Sequence, residues 1–304
     1  MQAGSQACKR LMLSIAGLSI ELTWAGTQMK EEPAQKFYRG FLFNGRPGSA
    51  DVRLHLHCGE LPAVKPEALI FDAVENHWRL VRLNGHYVFE CFHPKPPHPL
   101  VQRALLVPDF RSGEIYRRPD ETGPGRAWSL VQLMRPFGEL LLVNLLSQGR
   151  GVLVHALGVS DRGRGLLFVG RSGAGKSTLA TLYEGDPDVT VLGDERVIVT
   201  HAGGQFWLSG TPWPGGAFTV SPQTVPLRRI FFLEHGLRNE LLAESFLSRY
   251  GLLFQQLFLP FWSAEALAFA TGFVGELLAT LPSHRLAFVN DARVIEFLRA
   301  HAEN

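Results

Sequence analysis

Residues 170–178 read Gly-Arg-Ser-Gly-Ala-Gly-Lys-Ser-Thr, and no other run constrains this chain as much. Leu166-Leu167-Phe168-Val169 precedes it, a short apolar run suited to a buried strand. Leu179-Ala180-Thr181-Leu182-Tyr183 follows, suited to the first turns of a helix. Gly-x-x-x-x-Gly-Lys-Ser between a strand and a helix is a phosphate-binding loop. Its glycines let successive backbone N–H groups converge on phosphate oxygens, and the helix N-terminus adds the positive end of its dipole. Gly170, Arg171, Ser172, Gly173, Ala174, Gly175, Lys176, Ser177 and Thr178 are therefore the expected nucleotide-binding residues. Lys176 reaches the β- and γ-phosphates in such a loop, and the Ser177 hydroxyl ligates Mg²⁺. ATP and Mg²⁺ are the expected ligands.

A phosphate loop needs a second, acidic element near the metal. Thr190-Val191-Leu192 reads as a strand that ends in Gly193-Asp194-Glu195. Only one helix separates Lys176 from Asp194, so both strands can end at the same sheet edge. Asp194, with Glu195 beside it, is the candidate acid. The loop also resembles those of ABC-type transporter ATPases. Those need a Leu-Ser-Gly-Gly-Gln signature, whereas Leu208-Ser209-Gly210 continues here as Thr211-Pro212-Trp213, and Asp194 comes too early.

At 304 residues, with 46% hydrophobic and 19% charged residues, the chain has room for two domains and a sizeable core. A net charge of +2 gives no reason to expect nucleic acid or a membrane surface as partner. No run of eighteen apolar residues predicts a membrane-spanning helix. Lys9-Arg10 followed by Leu11–Ile20 has the outline of a signal peptide, but Glu21 and Trp24 stand where small residues should mark cleavage. Cys8, Cys58 and Cys91, odd in number and scattered, suit reduced thiols. The expected location is cytoplasmic.

The pattern is that of an α/β (α+β) chain, β-rich over residues 1–125 and carrying an ATP-binding domain over 126–304. In the first part, Leu11–Trp24, Lys36–Phe43, Val52–His57, Leu69–Asp72, Trp78–Leu83, Tyr87–Phe92, Ala104–Pro108 and Glu114–Arg117 read as strands. Asn84-Gly85 is a strong hairpin signal. Arg118–Gly125, with two prolines and two glycines, is the expected boundary. Leu130–Leu146 then reads as a helix broken near Pro136, and Gly151–Val159 as a strand. Asp161–Gly165 is a tight turn leading to the phosphate loop. Ser263 caps a helix to about Leu281, and Asn290 or Asp291 caps the last one. Trp213, flanked by prolines in a loop, is the aromatic most suited to a binding role. His55 and His57 share one strand face, where they read as outward polar residues.

Val152-Leu153-Val154-His155-Ala156, the turn at Asp161–Gly165, and Gly193-Asp194-Glu195-Arg196-Val197 have the order and spacing seen in HPr kinase/phosphorylase and its kinase-like relatives. The stretch from about 140 to 200 resembles that family. The resemblance implies a P-loop kinase domain with a mixed sheet like that of phosphoenolpyruvate carboxykinase. It implies Asp194 as general base on an incoming hydroxyl, His155 near the γ-phosphate, and Lys176 neutralising the transferred phosphoryl group. It also implies Ser177, Glu195 and Asp194 around Mg²⁺, and a homo-oligomer. Thr178 stands where HPr kinases usually carry an acidic residue, and their C-terminal signature has no counterpart here. Some kinase-like relatives phosphorylate a serine on a precursor peptide, and the resemblance to them implies a serine on a peptide or small protein as the acceptor, with the N-terminal domain helping to recognise it. A small-metabolite kinase and a non-catalytic ATP-binding regulatory or assembly protein are the alternatives.

Overall fold

The computed structural model describes residues 8–73, 75, 77–119 and 127–301. The chain divides into two compact units, Met1–Leu145 and Leu146–Asn304. The boundary expected at 125/126 lies outside the described residues. The helical segment after it, up to its penultimate residue Leu145, groups with the N-terminal unit.

That unit contains β1 (Lys9–Ile15), β2 (Leu18–Trp24), β3 (Gln28–Met29), a 3-10 helix (Pro33–Phe41), β4 (Val52–Cys58) and β5 (Ala68–Ala73). β6 (Trp78–Leu83), β7 (His86–Phe92), β8 (Leu100–Leu106), β9 (Ser112–Arg117), β10 (Ala127–Trp128), α1 (Leu130–Met134) and α2 (Phe137–Leu146) complete it. Eight strands form one mixed sheet in the order β1-β2-β4-β9-β8-β7-β6-β5, with β4 parallel to both β2 and β9. Val52, Leu54 and Leu56 are buried, while the alternating Arg53 and His57 are exposed and His55 is half-buried, as a half-covered strand requires. Asn84 and Gly85, with φ of 50° and 77°, turn β6 into β7.

Two expected strands are corrected. Residues 11–24 form a hairpin, because Ala16 and Gly17 take left-handed φ of 51° and 76° and reverse the chain. Lys36–Phe43 lies mostly in the 3-10 helix, whose first residue is Pro33. A proline at that position starts a helix without losing a needed N–H.

The C-terminal unit runs β11 (Gly151–Val154), β12 (Ala156–Asp161), β13 (Arg164–Val169), α3 (Lys176–Tyr183), β14 (Val189–Gly193), β15 (Val197–Ala202) and β16 (Gln205–Gly210). It continues with β17 (Thr224–His235), β18 (Glu240–Leu242), α4 (Phe246–Phe254), β19 (Leu257–Phe258), α5 (Ala264–Thr280), β20 (Ser283–Phe288) and α6 (Arg293–Ala300). All ten strands join one mixed sheet. Its main path is β14-β12-β13-β17-β16-β15-β11-β19, and β20 lies against β17 and β18. β17 is parallel to β13 and β20 along its C-terminal half and antiparallel to β16 near its start.

Because β13 and β17 are covered on both faces, they read as unbroken apolar runs. Leu167, Val169, Ile230 and Phe232 point to a core shared with β11, β15, β16 and α5. Leu166, Phe168, Phe231 and Leu233 point the other way, to a core with α3 and α6. Phe168 and Phe231 are paired in register and stacked at 5.2 Å. Ser263 caps α5, its hydroxyl accepting the Ala266 N–H at 3.2 Å. The last helix starts one or two residues later than expected, at Arg293, whose N–H is accepted by Asp291.

Candidate functional site

Asp161 and Arg164 pair across Arg162-Gly163, so β12 returns directly as β13 and delivers the chain to Gly170. The loop then turns into α3 at Gly175, whose φ of 96° suits glycine, and a Cβ there would stand 2.7 Å from the Phe288 ring. No side chain caps α3. The Leu179 N–H, bonded to Gly175 O at 2.8 Å, is accepted within the first turn. The N–H groups of Lys176, Ser177 and Thr178 precede it and have no acceptor inside the helix. Leu179, Ala180 and Tyr183 bury the inner face of α3 and fix its axis.

His155, Ser172, Gly173, Gly175, Lys176, Ser177, Thr178, Asp194, Glu195, Gly216 and His235 line one cleft of about 390 Å³. The three expected catalytic side chains thus share it with the loop. Lys176 is buried; its Nζ donates to Gly170 O at 2.6 Å and to Arg171 O at 3.3 Å. Burial lowers its pKa, and the Glu195 carboxylate opposes that shift.

His155 departs from the expected place within a strand. It is the break between β11 and β12, and its N–H donates to Gln256 O at 2.7 Å. The two strands take different partners, β15 and β19 on one side and β13 and β14 on the other, so the chain must bend between them. Burial lowers the His155 pKa below 6.5, with Lys176 and Arg196 acting in the same sense and Glu195 against them. That balance favours the neutral imidazole.

Asp194 is 2% exposed. Its Oδ1 accepts the Gly215 N–H at 2.7 Å and its Oδ2 the Ala217 N–H at 2.6 Å. The base of the same loop is fixed by the Thr211 hydroxyl, which donates to Arg196 O at 2.7 Å. Gly216 sits beside Ser177, where a Cβ would lie 3.5 Å from Oγ. The loop after β16 therefore ties the acid to the phosphate loop. Glu195 accepts from Arg196 at 2.8 Å, and that guanidinium lies over Phe258.

Trp213 has a different role from the one its sequence setting suggests. It is fully buried, with its Nε1–H lacking a protein partner, and so offers no exposed binding surface. His235 was not singled out by the sequence. It ends β17, and only the parallel pairing of β17 with β13 brings it beside the phosphate loop. Its Nε2 donates to Gly173 O at 2.8 Å. A second cavity of about 480 Å³ lies on another side of the loop and shares Ser172, Gly173 and His235 with the first.

Among the described residues, no three His, Cys, Asp or Glu side chains come together as a metal site. His55 bonds Thr23, and His57 bonds Glu114. No helix among the described residues is long and apolar enough to cross a membrane. Cys8, Cys58 and Cys91 form no disulfide among the described residues. No protein-family model matches the sequence, and no curated protein matches it.

Proposed function

We propose that this chain is an ATP-dependent, Mg²⁺-requiring kinase of the HPr kinase-like type, transferring the γ-phosphate to a serine hydroxyl on a peptide or small protein. The C-terminal unit is read as a P-loop kinase fold of the phosphoenolpyruvate carboxykinase kind. One observation carries the proposal: Lys176 and Ser177 of the phosphate loop line a single cleft with Asp194, Glu195 and His155.

The donor set suits the expected metal. The Ser177 hydroxyl and the carboxylates of Glu195 and Asp194 are hard oxygens along the cleft, and Mg²⁺ is commonly held by one or two carboxylates together with substrate phosphates. When bound, the ion would neutralise charge on the β- and γ-phosphates. The protein's own work is positioning. The loop N–H groups and Lys176 orient the phosphate chain, and the neutral His155 adds a hydrogen-bonding group without a second cation beside Lys176. The acceptor oxygen forms a bond to the γ-phosphorus as the bond to the ADP oxygen breaks. The hydroxyl proton passes to the Asp194 carboxylate, and ADP leaves.

The test is incubation of the full chain with γ-labelled ATP and serine-containing candidate peptides. Label should move to peptide in wild type and not in Lys176→Ala or Asp194→Asn. Transfer that survives Asp194→Asn overturns the base assignment. ATP binding that survives Lys176→Ala overturns the nucleotide site.

The two N–H groups held by Asp194 favour a second reading. In it the protein is a nucleotide-dependent regulator, and the 211–217 loop reports occupancy to a partner. ATP binding without transfer to any acceptor, together with an ATP-sensitive partner interaction, would select it.

A further inference from the structure

His235 has a place that the proposed mechanism does not use. Its backbone pairs with Phe288 in β20, and its ring lies over the Phe288 ring at 6.4 Å. The side chain is exposed and borders both cavities that flank the phosphate loop. Its one hydrogen bond on the loop goes to Gly173 O. A carbonyl only accepts, so Nε2 carries the hydrogen. Gly173 is the exposed crest of the loop, with φ of 81°, and a Cβ there would meet nothing within 4 Å. The Ala174 N–H of the same peptide group is taken by Arg171 O at 3.1 Å. The crest peptide is thus fixed at both ends, internally through its nitrogen and by His235 through its oxygen.

The direction of the loop decides which phosphate lies nearest. The Lys176 ammonium, which serves the β- and γ-phosphates in such loops, is directed at Gly170 O and Arg171 O, the start of the loop. His235 stands over the next stretch, at Gly173, rather than over the helical end at Thr178. Its side of the loop is thus the one that serves the β- and γ-phosphates in such loops. A phosphate oxygen is charged and accepts more strongly than a peptide carbonyl, so it competes for the same Nε2–H.

We propose that His235 reads the terminal phosphate: its Nε2–H passes from Gly173 O to a γ-phosphate oxygen, favouring a nucleoside triphosphate over the diphosphate. This rests on the nucleotide reading given above. The exchange moves one hydrogen bond and breaks no covalent bond. It also frees the Gly173 carbonyl, so the crest of the loop can adjust as the triphosphate settles.

The experiment measures affinities of the full chain for ATP and for ADP, with Mg²⁺, by titration calorimetry in wild type, His235→Phe, His235→Ala and His235→Gln. Removing the donor should weaken ATP roughly ten- to hundredfold and leave ADP within about twofold. His235→Gln, which keeps an N–H donor, should recover part of the ATP preference. The readout is the ATP-to-ADP ratio within each variant, so a general loosening of the loop cancels. Equal weakening of both nucleotides would make His235 a brace for Gly173 only and overturns the proposal, as does an unchanged ratio. A wild-type chain that binds neither nucleotide overturns the underlying reading instead, and Lys176→Ala serves as its separate control.

Discussion

The Gly215 N–H donates to Asp194 Oδ1 at 2.7 Å, so the position of the acid and the path of the 211–217 loop are one variable. The Ala217 N–H on Oδ2 closes the arrangement. Asp194→Asn offers a single acceptor oxygen to two donors. One bond is lost and an amide N–H₂ faces a backbone N–H. The expected cost is about 1.5–3 kcal/mol, seen as a lower melting temperature. Phosphate transfer should fall by roughly a hundredfold or more. ATP affinity, measured by titration, should change little.

Gly215→Ala tests the same coupling without touching a titratable group. Its Cβ would lie 2.7 Å from Glu195 Cβ and 2.8 Å from Asp194 Oδ2, so both acids must shift. Transfer should drop about tenfold or more, because small displacements of positioned groups are costly. Gly216→Ala, whose Cβ makes only an ordinary 3.5 Å contact with Ser177 Oγ, is the matched control and should stay near wild type. Equal loss in both variants would count against the idea.

Lys176→Ala removes two bonds to the loop carbonyls and the charge that the proposed function sets against the phosphates. ATP affinity should fall roughly a hundredfold, as expected for the loss of charge-assisted bonds worth 1.4 kcal/mol per tenfold. Its fold should persist, since Leu179, Ala180 and Tyr183 hold α3. A near-wild-type circular dichroism spectrum alongside lost ATP binding is the expected pair of results.

Acid should destabilise the protein partly through histidine. Burial lowers the pKa of His155, with help from Lys176 and Arg196 and against Glu195. It likewise lowers that of His284, helped by Arg229 and Arg249. The unfolded chain therefore takes up protons at a higher pH than the folded one. The stability tied to these neutral rings is complete above about pH 6.5 and is lost as pH falls through their lower folded values. His155→Gln should lose less melting temperature than wild type between about pH 7.5 and about pH 5. An identical pH dependence would exclude His155 as a contributor.

Thiol chemistry should separate the cysteines. Burial pushes the Cys91 thiol up to about 12, with Glu90 adding to the shift and Arg117 opposing it, whereas Cys8 is exposed. Iodoacetamide at neutral pH should label Cys8 in the folded protein and Cys91 only after denaturation, as peptide mass mapping would show.

The strand-loop-helix at 164–183 was legible because its signal is local: a strand, three glycines, a lysine and a hydroxyl lie within about a dozen residues. The turns at Asn84-Gly85 and Arg162-Gly163 were legible for the same reason. What the sequence hid depends on the rest of the fold. Trp213 looked like a loop aromatic, yet it is fully buried, and burial is set by the tertiary fold rather than by the local sequence. His155 read as mid-strand, because an apolar run does not reveal that its two halves pair with different partners. His235 lies 62 residues from Gly173, and nothing short-range links them. Alternation also left the 3-10 helix at Pro33–Phe41 indistinguishable from an edge strand.

β17 sets the register of the C-terminal sheet. Twelve residues of one strand form the seam between the antiparallel and parallel parts of the C-terminal sheet, and the last of them is His235. A slip of one residue along β13 would turn Phe231 and Phe232 into each other's cores and carry the imidazole off Gly173. The two apolar layers therefore act as a ratchet on the loop at 170–175: the only registers that satisfy them are spaced two residues apart, about 7 Å. Alignment of the loop is thereby inherited from the packing of the sheet's two faces.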